Sequence, residues 1–261
     1  MEDIVDLKAY PLHKPNSDHY ARLINDCQQR LDTDGLFNLS GFIRDAALKR
    51  AVDELKPGLT EHAFVHARRH NIYFKKSIEG LPADHPALLE FETSNRTLCA
   101  DQMAEALVIR LYEWPPFAQF LAAVMDKPAL FTMNDPLARV NVMAYSKGQA
   151  LNWHFDRSEF TTTLLLQAPS AGGEFEYAKD LRTSTEPNYD GVADLLAGRL
   201  APTRITLEPG TLNIFKGKNT AHRVTPVSGD LDRIIAVFSF YEQPGVQFSK
   251  AERLGFYGRA I

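Results

Sequence analysis

The chain has only two cysteines, Cys27 and Cys99, which excludes a disulfide framework and leaves two reduced thiols in apolar, apparently helical surroundings. It has no long basic run. With a formal charge of -4 and a pI near 6.1, a groove that tracks nucleic-acid phosphates is not expected. No stretch is apolar for the length that a bilayer helix needs, and the start, Met1-Glu2-Asp3-Ile4-Val5-Asp6, lacks the basic and apolar regions of a secretory signal. The expectation is a cytoplasmic protein with neither membrane nor nucleic acid as partner. Internal repeats, low-complexity tracts and linker-like stretches are also missing, so residues 1–261 read as a single domain.

What is present divides into two halves, and 44% hydrophobic residues suffice for a substantial core. From Ser17 to Leu31, Tyr20, Leu23, Ile24, Cys27 and Leu31 recur at helical spacing, with Ser17 as cap and Gly35 as stop. Further helices are expected over 45–55, ending at Pro57-Gly58, over 102–111 and over 117–124, so residues 1–135 form mostly helical support. After Pro136 short runs rich in Val, Ile, Phe and Thr alternate with Gly, Pro, Asn and Asp clusters. Eight strands are expected, over 138–146, 151–156, 160–167, 173–177, 204–208, 211–216, 221–225 and 233–241. The fold class is then mainly β with an α layer: a jelly-roll core over 136–245, the cupin-like double-stranded β-helix, flanked by N-terminal helices. The insertion between Tyr177 and Arg204 carries a short helical pattern from Val192 to Leu196 and is either a lid or a surface excursion.

Within the second half, His154 and Asp156 stand two apart on an expected strand, so both side chains take the same face. With His222 they make two imidazoles and a carboxylate, a set that can hold Fe(II) by one face and leave its other positions open. Each residue alone is unremarkable: a core histidine, a turn acid, a loop histidine. Their surroundings are more specific. The order is Tyr145-x-x-Gly148-x-x-Leu151-x-x-His154-x-Asp156, then His222-x-Val224-x-Pro226-Val227-x-x-Gly229-x-x-x-Arg233, with Gly172-Gly173-Glu174-Phe175-Glu176-Tyr177 between.

That order, over about half the chain, resembles the Fe(II)/2-oxoglutarate-dependent oxygenase superfamily. Within it the sequence is similar to the radical halogenases that act on free amino acids and to their hydroxylase relatives. The resemblance implies His154, Asp156 and His222 as iron ligands, with 2-oxoglutarate and O2 as co-substrates. It also implies Arg233 as partner of the far carboxylate of 2-oxoglutarate, which guanidinium can grip with two hydrogen bonds. Thr162, from the Thr161-Thr162-Thr163 run, and Tyr145 are expected to complete that carboxylate site. In the halogenases of this group a small residue replaces the acid; Asp156 is present here, so hydroxylation of an unactivated C–H bond is expected, with release of succinate and CO2.

Candidate substrate contacts lie beside the ligands: Arg157 directly after Asp156, Asn141 and Arg139 on the preceding strand, Trp153, and His70-Asn71 after Arg68-Arg69. Lysine-directed members of the resembled group carry a histidine and an acid where Leu151 and Arg157 stand here, which argues against lysine. A small polar metabolite, a free amino acid or a derivative, is the expected partner. Two alternatives remain open at this point: a peptide hydroxylase of prolyl-hydroxylase type, and a non-catalytic cupin-like barrel that holds a metal or ligand.

Overall fold

A strand that separates a core from a cavity carries apolar side chains at every second position and cavity-lining ones between them. The computed structural model, which describes residues 1–261, shows this pattern in its main sheet. The chain begins with α1 (Asp18–Thr33), capped by the Ser17 hydroxyl, then β1 (Leu36–Leu39), α2 (Asp45–Glu61), β2 (Phe64–His70) and β3 (Phe91–Cys99). Helices α3 (Leu107–Tyr112) and α4 (Pro115–Val124) and strand β4 (Phe131–Thr132) follow. Next come β5 (Val140–Tyr145), β6 (Leu151–His154), β7 (Thr161–Gln167) and β8 (Phe175–Ala178). The remainder is α5 (Tyr189–Leu196), β9 (Thr203–Ile205), β10 (Leu212–Phe215), β11 (Ala221–Val224), β12 (Arg233–Phe238), β13 (Phe240–Tyr241) and α6 (Lys250–Tyr257).

Seven strands form the major sheet in the order β1-β10-β7-β12-β5-β3-β2, and four form the minor sheet in the order β6-β11-β8-β9. All pairings are antiparallel, and the two sheets make the jelly roll. On the major sheet Val140, Val142, Ala144, Leu164, Leu166, Leu212, Ile214, Ile234, Ala236 and Phe238 join the helical layer in one apolar cluster. Phe37, Phe117 and Phe120 stand in the same cluster, and burying each such side chain contributes about 1.5–3 kcal/mol. The residues between them, Asn141, Met143, Tyr145, Thr163, Asn213, Arg233 and Ile235, line a cavity on the other side of the sheet.

The first half departs from the helical expectation. Strands β2 and β3 extend the major sheet, and Cys99 ends a strand rather than sitting in a helix. Helix α2 also runs through Pro57 to Glu61, because the extra turn buries Leu59 and lays Gly58 against Leu98, which outweighs the one hydrogen bond that proline removes. Between 100 and 112 only a 3-10 turn at Ala100–Met103 and the short α3 form. Helix α4 starts at Pro115, since proline suits a first turn. Both cysteines are free and buried, as expected. The 178–203 insertion packs through Leu181, Val192 and Leu195 of α5 and its approach onto Trp153, on the outer face of the minor sheet, and onto Phe155, which follows β6 at the edge of the cavity. No helix is long and apolar enough to cross a membrane.

Candidate active site

His154 ends β6 and His222 lies on the neighbouring β11, paired directly across the ladder. Two antiparallel strands thus bring together residues distant in sequence, and Asp156 follows just beyond the end of β6. The His154 Nε2 lies 3.3 Å from Asp156 Oδ1 and the His222 Nε2 lies 3.4 Å from Asp156 Oδ2, with one ligand atom from each residue within 4.8 Å of the others. Each imidazole donates its Nδ1–H to a backbone carbonyl, His154 to Asn152 at 2.8 Å and His222 to Thr220 at 3.0 Å. This fixes the tautomer and turns both Nε2 lone pairs toward the carboxylate.

Further contacts hold the three in place. The Thr161 hydroxyl donates to Asp156 Oδ2 at 2.5 Å, and the Asp156 N–H donates to Gly217 O at 3.0 Å. A Cβ on Gly217 would collide with that carboxylate. Behind His154, the Thr93 hydroxyl accepts the Asn152 N–H and meets His70 Nε2 at 2.8 Å, so His70 braces the ligand strand. Burial pushes the Asp156 carboxyl up, but the imidazoles, His222 foremost, outweigh it and hold the group well below the usual carboxylate range. Burial, reinforced by His222, pushes His154 down and keeps its ring neutral, the form that can ligate a metal.

The three residues open into a cavity of about 840 Å³. Deep in it stands Arg233, only 3% exposed. Its Nε donates to Gly173 O at 3.1 Å, its guanidinium lies 5.9 Å from the centre of the Tyr145 ring, and its Nη1 has no partner at all. Burial pushes this guanidinium down to about 10, so it remains charged at neutral pH. A buried cation with an unpartnered donor facing a cavity costs free energy unless an anion completes it. The donor set and this arginine fit Fe(II) and 2-oxoglutarate, with O2 as the second co-substrate.

Several expected contacts are placed otherwise. Thr162 does not reach the cavity: it shares parity with Leu164 and Leu166, which face the core, so Thr161 and Thr163 are the cavity-facing threonines. Arg139 pairs with Glu113 away from the cavity. Trp153 alternates with His154 and so faces outward, under the Arg223 guanidinium. The Asn71 carboxamide caps its own loop by accepting the Tyr73 and Lys75 N–H groups. By contrast Tyr145, Asn141, His70 and Arg157 do line the cavity, Asn141 accepting the Tyr257 hydroxyl and Arg157 bonding Glu252 at the rim.

Phe74, Arg182, Lys218 and the α6 residues Phe256 and Tyr257 also line the cavity, outside the residues that the sequence motifs mark. Phe74 stacks on His70 at 4.4 Å and meets His154 edge-on at 6.2 Å, holding a left-handed backbone (φ 55) that costs a bulky residue about 1–3 kcal/mol. Nothing in the sequence signals it. Helix α6 was signalled, by the Ser249-x-x-Glu252 capping box and by Gly258 at its end.

The fold is that of known oxygenases. An oxidoreductase of the 2OG-Fe(II) oxygenase family from Burkholderia pseudomallei superposes with a TM-score of 0.53 at 13% identity, over 85% of this chain and 92% of the other. The alpha-ketoglutarate-dependent epimerase SnoN of nogalamycin biosynthesis gives 0.56 at 14% identity, over 84% and 81%. A prolyl hydroxylase from Trichoplax adhaerens, solved with a hypoxia inducible factor peptide, gives 0.51 at 12% identity, over 88% and 96%. No curated protein sequence matches the chain significantly. Residues 20–252 match the family described as Halogenase D (HalD), and with most of its length inside that match the chain belongs to the halogenase D family.

Proposed function

We propose that the chain is a single-domain Fe(II)- and 2-oxoglutarate-dependent oxygenase that hydroxylates an unactivated C–H bond of a small polar metabolite, a free amino acid or a derivative. The observation that carries this reading is the unpartnered, buried Nη1 of Arg233 in the same cavity as His154, Asp156 and His222. A metal-holding barrel without a co-substrate has no use for it.

In this reading His154, Asp156 and His222 hold Fe(II), which when bound supplies O2 activation coupled to conversion of 2-oxoglutarate to succinate and CO2. The Asn152 and Thr220 carbonyls keep each ligand nitrogen free of a proton. Thr161 fixes the rotation of the Asp156 carboxylate, and the bond from the Asp156 N–H to Gly217 O holds the backbone that carries it. Arg233 takes the far carboxylate of 2-oxoglutarate, with Tyr145 against its guanidinium. Phe74, Phe175 and Phe215 give the cavity apolar walls that exclude water from the reacting carbon.

The family's description favours a second outcome, halogenation. Support for hydroxylation comes from Asp156: a carboxylate braced by Thr161 and backed by Gly217 occupies the position that is small in the halogenases the sequence resembles. Product mass decides. A product heavier by one oxygen is expected, and a chlorine isotope pattern would refute the assignment. The co-substrate is tested separately by adding 2-oxoglutarate to the Fe(II)-loaded protein without O2. A weak visible absorption band is expected, and Arg233→Gln should weaken 2-oxoglutarate binding roughly 10- to 100-fold, the loss of a charge-assisted pair worth about 1.5–3 kcal/mol. An unchanged affinity would remove Arg233 from the site.

A further inference from the structure

We infer that the substrate is an anion, and that Arg182 and Lys218 receive an acidic group, carboxylate or phosphate, that it carries away from the reacting carbon. This rests on the oxygenase reading and names the substrate class for that pocket. Among the side chains lining the cavity only one is a carboxylate, Asp156, and it is committed to the metal site. Besides Arg233 the lining contains Arg68, Arg157, Arg182 and Lys218. Arg157 is answered by Glu252 at 2.8 Å. The other three form no ion pair: Arg68 lies over the Phe74 ring, and Arg182 bonds only a backbone carbonyl.

Arg182 is held in place. Its Nε and Nη2 donate to the Lys218 carbonyl at 2.9 and 2.7 Å, and its Cζ stands 3.9 Å from the centre of the Phe155 ring, the residue between His154 and Asp156. Two backbone-directed bonds and a ring leave Nη1 to donate to a ligand, and a guanidinium fixed in this way loses little entropy when one binds. A second cavity of about 360 Å³ adjoins the first, sharing Tyr73, Arg182 and Lys218 and adding Lys75, Ser184 and Asn219 to its lining, again with no acid. A substrate with an ammonium side chain would meet these cations and find no free carboxylate. Like charges brought together without a counter-ion are unfavourable, so the pocket selects against basic amino acids and for acidic or phosphorylated ones.

Two measurements on the full-length protein test this. Thermal-shift titration of the metal-free chain with inorganic phosphate reads the anion site without any oxygenase chemistry. Its dissociation constant should be at least about tenfold weaker in the Arg182→Gln/Lys218→Gln double variant, the loss of one or two charge-assisted bonds. The iron- and 2-oxoglutarate-loaded enzyme is then assayed for succinate release with glutamate, O-phosphoserine, lysine and ornithine. Stimulation by glutamate or O-phosphoserine is expected, with KM raised about tenfold and kcat little changed in the double variant. The better of the two identifies the acidic group as carboxylate or phosphate. Phosphate binding indifferent to the double substitution, or stimulation by lysine or ornithine above the acidic compounds, overturns the inference. Absence of 2-oxoglutarate binding alongside phosphate binding that depends on Arg182 and Lys218 would instead overturn the oxygenase reading and leave the anion site standing.

Discussion

Gly217 matters for the side chain it lacks. Its backbone is not left-handed, so the requirement for glycine is one of space: Asp156 Oδ2 occupies the position a Cβ would take. Gly217→Ala should displace the carboxylate and lower Fe(II) affinity about 10- to 100-fold, the usual effect of disturbing a ligand's supporting contact, while the protein stays folded. Metal titration of the folded variant checks this, and a wild-type affinity would refute it. His70 gives a pH prediction of definite sign. Burial, then the nearby His154, Arg68 and His66, push its pKa below the usual histidine value, opposed only by its bond to the Asn71 carbonyl. The unfolded chain therefore takes up the proton at higher pH than the folded one, and stability falls as pH drops below about 6.5. Between pH 7.5 and 5.5 the melting temperature of the metal-free wild type should drop more than that of His70→Gln. Parallel profiles would show that His70 does not contribute.

At the scale of elements, the sequence was legible wherever one face of a strand was apolar. Strands form at all eight places expected after Pro136, though 204–208 only as Thr203–Ile205 and 233–241 as two strands, β12 and β13; those of the major sheet carry residues such as Val140, Val142, Ala144, Ile234 and Ala236 on their core face at period two. Strands β2 and β3 escaped notice because neither has such a face. In β2 His66, Arg68 and His70 line the cavity and most other side chains are exposed, while β3 turns Thr93, Asn95 and Thr97 inward. The metal ligands were legible by motif more than by parity: β6 ends at His154, and Asp156, expected on the same strand, lies just beyond it, where its N–H bond to Gly217 O and the Thr161 hydroxyl turn its carboxylate toward both imidazoles. Thr162 faces the core against expectation, because three consecutive threonines look alike in sequence and only the register of β7 turns Thr161 and Thr163 inward. Arg182 could not be found, as its place depends on how the insertion folds over Phe155. Register also explains Glu176, buried at 2% exposure in a cross-strand row of Arg223, Glu176 and Arg204 on β11, β8 and β9. Its oxygens accept from Arg223 Nε at 2.6 Å and Arg204 Nε at 2.7 Å. Glu176→Gln should cost about 3 kcal/mol, the lower end for breaking a buried pair because Arg204 is half exposed. Urea unfolding measures it, and a change below about 1 kcal/mol would mean that solvent already screens the row.

For the whole molecule, the cavity is where separate parts meet. The major sheet supplies Arg233, Tyr145 and Asn141, the minor sheet His154 and His222, and α6 contributes Phe256 and Tyr257. Tyr257 donates to Asn141 Oδ1 at 2.8 Å, while Arg253 is anchored to buried Asp135 at 2.9 Å. Apolar packing is concentrated on the helical side of the major sheet, whereas the space between the sheets is walled by both apolar and polar side chains, and two of its polar atoms, Arg233 Nη1 and Asn213 Oδ1, lack partners. Such a site is stabilised by what fills it, because an unfolded chain offers no preformed alternative. Each of the two ligands at about ten times its dissociation constant adds about 1.4 kcal/mol, so the pair adds about 2.8 kcal/mol. At about 2–4 °C per kcal/mol for a chain of this size, Fe(II) with 2-oxoglutarate, kept free of O2, should raise the melting temperature by about 5–10 °C. Each subset of contacts has its own share. In Arg233→Gln the metal's contribution should persist and that of 2-oxoglutarate should largely vanish, whereas in His222→Ala both should be lost. Calorimetry that found the full rise in either variant would refute the assignment of these residues to a shared site.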